Sequence, residues 1–432
     1  MRILVVSPYL PEPPRAGGPV RLRGLVRGLA RSHSVSLLAF VPAGRDDRSA
    51  IASSRRYCVD VVTVPNERLG LEETAKRSLQ LRSLFSRHSY EYMVHRRAPL
   101  QAELDGMLER SPYDLIQIVG CNMAKHSYPP DVPLVLDEQN IEYDILRRTA
   151  ALEPFVPRNL YGAIDALKLR TEEEDAWRRA DACSLVSARD EAIVRRSLPG
   201  AQTAVVPNGA DTDFFSPRIN RPGRRDTLLF FGVADYYPNT DGLLFFLHEV
   251  LPLLKRRYPS LQLLIVGKSP PPAIRRWAST DVIVTGQVED VRPYIERARA
   301  VVVPLRIGGG TRLKVLEAMA MAKPVISTTL GAEGLAVADG DNIMLGDTPD
   351  EFATQVGRVL DDDDLAERLG TAARRLVEAN YDWRISVRRL EALHADVLRQ
   401  PGDAPRPVFP EPVATVGDRP EAVPAGAAAP QP

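Results

Sequence analysis

One segment constrains the fold of this chain more than any other, the run RIGGGTRLKVLEAMAMAKPVISTTLGAEGL from Arg306 to Leu335. It follows an apolar run, residues 300–305, that is typical of a buried strand. Three glycines make a loop where backbone can approach a ligand. A helix opens after the N-cap candidate Thr311 and ends before Pro324. Strand, loop, helix and strand form half of a nucleotide-binding unit, with its ligand at the first strand's carboxyl end.

Positive charge at the start of this helix indicates an anion. Arg312 and Lys314 fall in the predicted first turn, where the macrodipole disfavours each cation by roughly 0.3–1 kcal/mol. Side-chain cations and backbone N–H groups of the loop could together bind a diphosphate. The predicted binding set is Arg306, Gly308, Gly309, Gly310, Thr311, Arg312 and Lys314. A solvated basic surface is the alternative.

A carboxylate lies inside the apolar run VLEAMAMA of the same helix, at Glu317. If it is buried it needs a partner. Hydrogen bonds from two ribose hydroxyls would satisfy both oxygens, and an internal ion pair with Arg or Lys would serve as well.

The wider pattern predicts two α/β domains, because 432 residues exceed one ordinary core. The N-terminal strands are predicted at 3–7, 35–40, 115–119, 134–136, 182–187 and 204–206. Residues 72–110 and 140–180 are predicted to be helical. A polar boundary with Pro and Gly at 216–226 separates an N-terminal domain, 1–215, from a C-terminal domain, 227–383. A last helix follows at 384–399, and the Pro/Ala-rich tail 400–432 is predicted to be disordered.

Composition excludes several classes of protein. Lys+Arg and Asp+Glu balance at 56 each, so a global nucleic-acid footprint is absent. The first hundred residues are nevertheless basic, with 17 Lys/Arg against 8 Asp/Glu. Three scattered cysteines without a CxxC pair and six histidines without a ligand-like pair support neither a disulfide framework nor a metal site. No apolar run is long enough for a signal peptide or membrane span, which predicts a cytoplasmic protein.

The helix motif resembles the signature of the retaining GT-B glycosyltransferases of family four, the "glycosyl transferases group 1" set. Glu317, in LEAMAMAKPV, matches the glutamate that binds the donor ribose in that family. The family's first glutamate falls at Gly309, so that carboxylate is missing here. The chain is similar to a branch of the family with GGGTRLK in this loop. In that branch, backbone amides would take the place of the missing carboxylate.

Further segments resemble the same family over most of residues 1–395. FFGVADYYPNTDG (230–242) matches the first loop of the donor domain through Asn239, without the Arg and Lys that many relatives place there. LGAEGL matches a loop that faces the donor, so Glu333 could contact sugar or ribose, or only shape a turn.

In the N-terminal domain, Gly17 and Gly18 follow the first strand and precede a helix, in a pattern that is not GxGxxG. In GT-B enzymes, which this chain resembles, the equivalent glycines lie at the cleft near the donor phosphate and the acceptor. Arg21 is predicted in the first turn of that helix and is assigned to the same acceptor-side cleft loop. The alternative is that this helix is exposed at the surface and binds no ligand. The segment LVLDEQNIEYDILRR resembles one that often reads Asp-x-His-Asn-x-x-Glu, and Gln139 takes the histidine position. A glutamine forms hydrogen bonds but cannot shuttle a proton.

The resemblance implies a GT-B transferase that moves a sugar from a nucleotide-diphosphate donor to an acceptor glycan, lipid-linked sugar or small molecule, without a metal. Arg312, Lys314 and Gln139 would act on the reacting groups. An epimerase or hydrolase of the same fold and a non-catalytic partner subunit are the alternatives. The basic, aromatic stretch 76–97 hints at a lipid-linked acceptor and peripheral membrane contact.

Overall fold

A computed structural model describes residues 1–14, 16–152, 156–217, 224–308 and 312–399. Within them the chain forms two parallel β-sheets flanked by helices, so the predicted doubly wound α/β class is confirmed. The tail 400–432 and most of the predicted linker 216–226 lie outside the described residues.

The first sheet is built from residues 2–205 and has seven strands in the order β3-β2-β1-β4-β5-β6-β7. They are β1 (Arg2–Ser7), β2 (Ser34–Pro42), β3 (Asp60–Asn66), β4 (Leu115–Val119), β5 (Leu134–Glu138), β6 (Ala182–Leu185) and β7 (Thr203–Val205). All neighbours pair in parallel, and β1, β2, β4 and β5 are apolar and buried along most of their length. A parallel sheet covered on both faces requires such continuous apolar strands.

The helices of this half are α1 (Gly17–Leu29), α2 (Arg48–Ser54), α3 (Glu73–Leu84), α4 (Tyr90–His95), α5 (Ala98–Arg110), α6 (Glu142–Leu152), α7 (Val156–Arg179) and α8 (Ala188–Ser197). The helical stretch predicted at 140–180 is two helices, α6 and α7, packed against each other. Their close approach depends on Gly162, where a Cβ would lie 2.8 Å from the Cβ of Ala150.

The second sheet has six strands in the order β10-β9-β8-β11-β12-β13. They are β8 (Arg224–Phe231), β9 (Gln262–Val266), β10 (Val282–Gly286), β11 (Ala298–Val303), β12 (Val325–Ser327) and β13 (Met344–Leu345). The chain builds outward from β8 through β9 and β10, and then returns to place β11 on the other side of β8. This reversal between β8 and β11 is the position where open α/β sheets form a ligand crevice.

The helices of this half are α9 (Tyr237–Phe245), α10 (Leu251–Arg257), α11 (Pro272–Arg275), α12 (Arg292–Arg297), α13 (Leu313–Ala320), α14 (Pro349–Asp361), α15 (Asp363–Asn380) and α16 (Trp383–Arg399). A π-helical turn, Phe246–Val250, joins α9 to α10. None of the described helices is long and apolar enough to cross a membrane.

The last helix, α16, packs on α1 of the first half. Gly24 and Gly28 lie one turn apart on α1 and leave room for Trp383 and Val387 respectively. The buried apolar side chains of α16 belong to the same core as β1 and α1. The C-terminus of the described chain therefore covers the N-terminal sheet.

Candidate functional site

The candidate site lies at the carboxyl ends of β8 and β11, where the strand order reverses. The loop after β11 leads to α13, and its Gly308 has a φ of 121°, which is accessible to glycine and strained for other residues. A Cβ at Gly308 would lie 3.0 Å from the guanidinium of Arg312. The predicted ligands Gly309, Gly310 and Thr311 lie outside the described residues.

The start of α13 differs from the prediction. Arg312, not Thr311, is the N-cap residue, with extended backbone at φ −83° and ψ 92°, and α13 begins at Leu313. Only Lys314 therefore lies in the first turn, which has no acidic residue. The N-cap residue has non-helical backbone because the chain is still turning out of the glycine loop.

Lys314 joins the two loops that follow β8 and β11. Its ammonium donates a hydrogen bond of 2.7 Å to Oδ1 of Asn239 and lies 4.2 Å from the ring centre of Phe230. Asn239 is buried in the first turn of α9, where its amide donates to the carbonyl of Val233 at 2.7 Å. The backbone at Gly232 makes room, since a Cβ there would lie 3.0 Å from the Lys314 Nζ. The structure thus brings together Asn239 and Lys314, which are 75 residues apart.

Burial shifts the pKa values of two side chains on α13, Lys314 and Glu317, toward 7. Burial, reinforced by the positive charge of Arg312, lowers the pKa of Lys314 to about 7. Burial raises the pKa of Glu317 to about 7, against the opposing effect of Lys314. Glu317 accepts no hydrogen bond from the described residues, so its oxygens are available to a ligand. Buried ionisable groups with pKa values shifted in this way are typical of functional sites.

Arg312 is buried at the boundary between the two halves of the chain. Burial lowers its pKa, while Tyr236 and Glu333 favour its charged form and Arg148 opposes it. Tyr236 is half exposed in the loop before α9. Arg148 belongs to α6 of the N-terminal half, so both halves contribute to the surroundings of this guanidinium.

Glu333 forms ion pairs across the cleft between the two domains. Its carboxylate lies 3.2 Å from Nη1 of Arg148 and 3.5 Å from Nε of Arg189, both from the N-terminal domain. Asp144 of α6 pairs with both arginines from the other side. The carboxylate is engaged by arginines, and its predicted contact with sugar or ribose stays a prediction. Sequence reasoning missed Arg148 and Arg189, which carry no motif signal.

Arg306 pairs with a carboxylate of its own domain, whereas the sequence predicted that it binds a diphosphate with Arg312 and Lys314. Its guanidinium makes a bidentate pair with Asp241 on α9, at 2.8 and 3.1 Å. The same group lies 4.8 Å from the ring centre of Phe245. A satisfied guanidinium fixed on α9 holds the β11 loop against that helix, so the structure gives Arg306 a positioning role.

The N-terminal domain presents the start of α1 to the start of α13. A Cβ on Gly17 would lie 3.9 Å from Cδ1 of Leu313, so the side chain of the first residue of α13 packs against the start of α1. Neither helix has an acidic residue in its first turn. Each N-terminus carries about half a positive charge and several unpaired N–H groups. Helix N-termini of this kind favour a bound anion.

Gln139 lies beside the start of α1. Its Oε1 accepts a hydrogen bond of 2.6 Å from the Tyr9 hydroxyl, whose pKa is raised by burial and by Asp137. Gly18 fits between these side chains, since a Cβ there would lie 2.7 Å from Tyr9 Cζ and 2.9 Å from the Gln139 oxygen. The Gln139 amide nitrogen is buried without a hydrogen-bond partner among the described residues. Tyr9, which positions it, was not predicted from the sequence.

Arg21 is not a cleft residue, which corrects the prediction. It lies in the second turn of α1, is 1% exposed, and pairs with Asp137 through two hydrogen bonds of 2.6 and 3.1 Å. Its remaining nitrogen donates to the Val206 carbonyl and to Asn208. A fully buried guanidinium needs such partners, and here they join α1 to β5 and to the chain after β7.

A buried acidic cluster lies behind Gln139. Oxygens of Glu138 and Glu173 and the sulfur of Cys121 lie within 4.8 Å of one another. Glu173 accepts the backbone N–H groups of Glu142 and Tyr143, both at 2.8 Å, and so caps α6. Burial and mutual repulsion raise the pKa of Glu138, and burial raises the pKa of Glu173 to about 8. Burial also raises the pKa of the Cys121 thiol, and the raised pKa values of the two glutamates favour a proton shared between them.

Comparison with known proteins finds a family model that matches part of the C-terminal half. Residues 225–362 match the family described as "Glycosyl transferases group 1". A phosphatidyl-myo-inositol mannosyltransferase of Mycolicibacterium smegmatis is 31% identical over 199 residues, 43% of this chain and 50% of the relative. A GDP-mannose-dependent mannosyltransferase of the same organism, acting on phosphatidylinositol monomannoside, is 28% identical over 218 residues, 45% of this chain and 56% of the relative. The match to the curated relatives spans about half of their length.

Solved structures share the architecture of almost the whole chain. Sucrose-phosphate synthase from Thermosynechococcus elongatus superposes with a TM-score of 0.66 at 18% identity, covering 92% of this chain and 99% of that one. Anabaena HepE, solved with UDP-glucose, gives 0.63 at 18% identity, covering 92% and 100%. At this identity the likeness establishes the fold alone. The comparisons support the glycosyl transferases group 1 family for residues 225–362, within a chain that has the two-domain GT-B fold.

Proposed function

We propose that this protein is a glycosyltransferase that moves a sugar from a nucleotide-diphosphate donor to an acceptor bound by the N-terminal domain. The observation that carries the proposal is the buried pair of cations Lys314 and Arg312 at the start of α13, beside the start of α1 and at the strand-order reversal of a domain with a glycosyl transferases group 1 match. This arrangement concentrates positive charge and N–H donors where a diphosphate would lie.

The diphosphate is the group that gains negative charge as the glycosidic bond breaks. Lys314, held by Asn239, and Arg312, held against the Gly308 backbone, are fixed before the reaction and need no reorganisation. Preorganised charge and dipoles of this kind stabilise a developing anion more than mobile water does. These protein cations can supply the charge that a divalent metal supplies in other transferases, so we propose a metal-independent reaction.

Glu317 would bind the nucleoside. It lies one turn after Lys314 on α13 and its oxygens are not engaged by the described residues. Hydrogen bonds from two ribose hydroxyls favour the ionised carboxylate, so nucleoside binding would lower its pKa from about 7. The same step stabilises Lys314 in its charged form.

The acceptor would approach from the side of Gly17, Gly18 and Gln139. Gln139 cannot take a proton, but its buried amide nitrogen can donate a hydrogen bond to an acceptor or sugar oxygen. Front-face attack needs no protein base, because the departing diphosphate oxygen takes the proton of the acceptor hydroxyl as the new glycosidic bond forms. Such a transfer retains the anomeric configuration.

The ion pairs of Glu333 with Arg148 and Arg189 would control closure of the cleft. They link the loop after β12 to α6 and α8, and so join the two domains beside Arg312. Because all three side chains remain partly exposed, each pair contributes modestly, about 0–1 kcal/mol. Weak links of this kind allow the domains to open for donor entry and product release.

The donor's base and sugar are best found with a panel. One relative's name specifies GDP-mannose and one solved neighbour contains UDP-glucose, so both donors belong in the panel with other UDP- and GDP-sugars. The acceptor panel should contain a glycan, a lipid-linked sugar and a small sugar. We propose a cytoplasmic protein with peripheral membrane contact, and therefore each acceptor should be tested with and without vesicles.

The test is release of nucleoside diphosphate by the wild type, with the fate of the sugar followed by mass spectrometry. Sugar on the acceptor supports transfer, free sugar indicates a hydrolase, and an altered free sugar nucleotide indicates an epimerase. Glu317→Gln should lose most turnover, while Glu367→Gln, a change to an exposed glutamate on α15, should not. Nucleotide binding without turnover would indicate a non-catalytic subunit, and no binding of any donor would refute the proposal.

A further inference from the structure

A second charged cavity lies wholly within the N-terminal domain. It has a volume of about 700 Å³ and is walled by the chain around α4, by the turn Met123–Lys125 and by α7. None of its lining residues belongs to the C-terminal domain or to the candidate donor site. Its ligand would therefore be separate from the nucleotide.

The walls of the cavity are basic. Two carboxylates line it, Glu172 and Asp175. The cationic side chains that line it are Arg87, Arg96, Lys125, Lys168, Arg178 and Arg179. Arg178 pairs with Glu174, next to this lining, at 3.4 Å, so six cations and three carboxylates leave an excess of three positive charges around one space. A concave basic surface concentrates anions because its field lines are focused by the protein walls.

The two carboxylates are already used inside the protein. Glu172 accepts from the Lys125 ammonium at 3.0 Å and from the backbone N–H of Ser89 at 2.9 Å. Lys125 is only 5% exposed, so this pair is a fixed part of the wall. Asp175 pairs with Arg179 at 2.9 Å. Neither carboxylate is left to neutralise the other cations.

Three of the cations have only neutral hydrogen-bond partners among the described residues. Arg87 donates to the His88 ring, Arg96 to the Tyr92 hydroxyl at 3.1 Å, and Lys168 to the Ser83 carbonyl at 2.6 Å. Such partners orient the cations without cancelling their charge. Guanidinium and ammonium groups gathered in this way match phosphate oxygens, which accept bidentate and single hydrogen bonds.

An aromatic platform orders the same wall. The His88 ring stacks on Tyr92 with centroids 3.7 Å apart, and Lys125 Nζ lies 4.9 Å from the centre of the Tyr92 ring. The Arg96 guanidinium lies 5.9 Å from that centre. Several cationic groups are thus arranged around one ring, which reduces the entropy lost when they bind an anion.

Two exposed apolar side chains lie in the same part of the chain. Leu167, which lines the cavity, is 69% exposed, and Phe85, two residues before Arg87, is 93% exposed. Large apolar side chains beside a basic cavity suit a ligand with a phosphate and a hydrocarbon portion. We propose that this cavity binds a phosphate ester, either the headgroup of an anionic phospholipid or a soluble phosphorylated compound. This proposal does not depend on the glycosyl transfer proposed above.

The test uses two probes, glycerol 3-phosphate by titration calorimetry and phosphatidylcholine vesicles with and without phosphatidylglycerol by co-sedimentation. All titrations use a Lys314→Met background, so that the donor site does not contribute. The variant is Arg87→Ala with Arg96→Ala, because both side chains are exposed and their loss leaves no buried charge unpaired. The matched control is Arg276→Ala, an exposed arginine of the C-terminal domain.

We expect binding of at least one probe to weaken about tenfold or more in the double variant and to be unchanged by Arg276→Ala. Binding of glycerol 3-phosphate alone would identify a soluble ligand, and binding of phosphatidylglycerol vesicles alone would identify a lipid headgroup. Absence of binding by both probes, or equal binding by the double variant, would overturn the proposal. Failure of nucleotide binding in the wild type would refute the donor site and leave this result unaffected.

Discussion

Replacement of Lys314 by Met tests the donor site most directly, because Asn239 holds this ammonium in place and burial lowers its pKa. A phosphate about 4 Å from it would gain roughly 4 kcal/mol of Coulomb energy at an effective dielectric of 20. Loss of phosphate hydration reduces this, and hydrogen bonds to charged groups contribute about 1.5–3 kcal/mol net. We expect Lys314→Met to weaken nucleoside diphosphate binding by about 30- to 150-fold near pH 7, a loss of about 2–3 kcal/mol.

The pH dependence gives a second measure of the same contact. Burial and Arg312 lower the pKa of Lys314 to about 7, and the negative charge of a bound diphosphate would raise it. Binding above pH 7 must therefore take up a proton, and wild-type affinity should fall by up to about tenfold per pH unit between about pH 7 and 9. Titration calorimetry in buffers of different ionisation enthalpy measures the proton uptake.

The control for this variant is Lys323→Met. Lys323 is also partly buried, burial lowers its pKa to about 8, and its ammonium donates to the carbonyls of Glu296 and Ala298. It lies beyond the other end of α13, away from the cleft. If Lys323→Met weakened nucleotide binding as much as Lys314→Met, or if Lys314→Met bound as the wild type does, our argument for the donor site would be refuted.

Three further predictions concern closure, protonation and packing. Glu333→Gln should loosen the cleft and increase the radius of gyration measured by X-ray scattering in the presence of nucleotide, whereas exposed Glu367→Gln should not. Because the pKa of Glu173 is raised to about 8, the folded state binds more protons than the unfolded state between about pH 5 and 8, so stability should fall as pH rises through that window. Glu138→Gln should flatten this dependence in urea unfolding, and an unchanged slope would contradict the shared proton. Gly24→Ala should destabilise the protein by about 1–3 kcal/mol, because its methyl would lie 2.5–2.7 Å from indole atoms of Trp383. The matched Gly106→Ala meets only the end of the Arg110 side chain and should be neutral or stabilising by up to about 1 kcal/mol in thermal unfolding.

The fold class was predictable because its signal is local. Apolar runs that are long enough to cross a sheet, such as Leu115–Val119, were assigned as strands with the bounds that the structure has. The strand Asp60–Asn66 was not predicted, because its sequence DVVTVPN contains polar residues and a proline and it lies at the edge of the sheet. Edge strands are less buried, so their sequences are under a weaker hydrophobic constraint.

The candidate site likewise has features that the sequence predicts and features that depend on the folded chain. The sequence by itself determined that a glycine loop and a helix with cations follow a buried strand, and so it predicted an anion near Lys314. Only the tertiary structure decided which side chains share that space. It brought Asn239 to Lys314, engaged Glu333 with Arg148 and Arg189, and placed Arg21 in the interior with Asp137.

The physical reason is that charge type is a property of a residue, whereas its partner is a property of the packed chain. An arginine on an amphipathic helix has the same local pattern whether it faces a ligand, another domain or a buried aspartate. Burial, helix register and the long-range pairing of strands decide among these, and they depend on residues that are distant in the sequence.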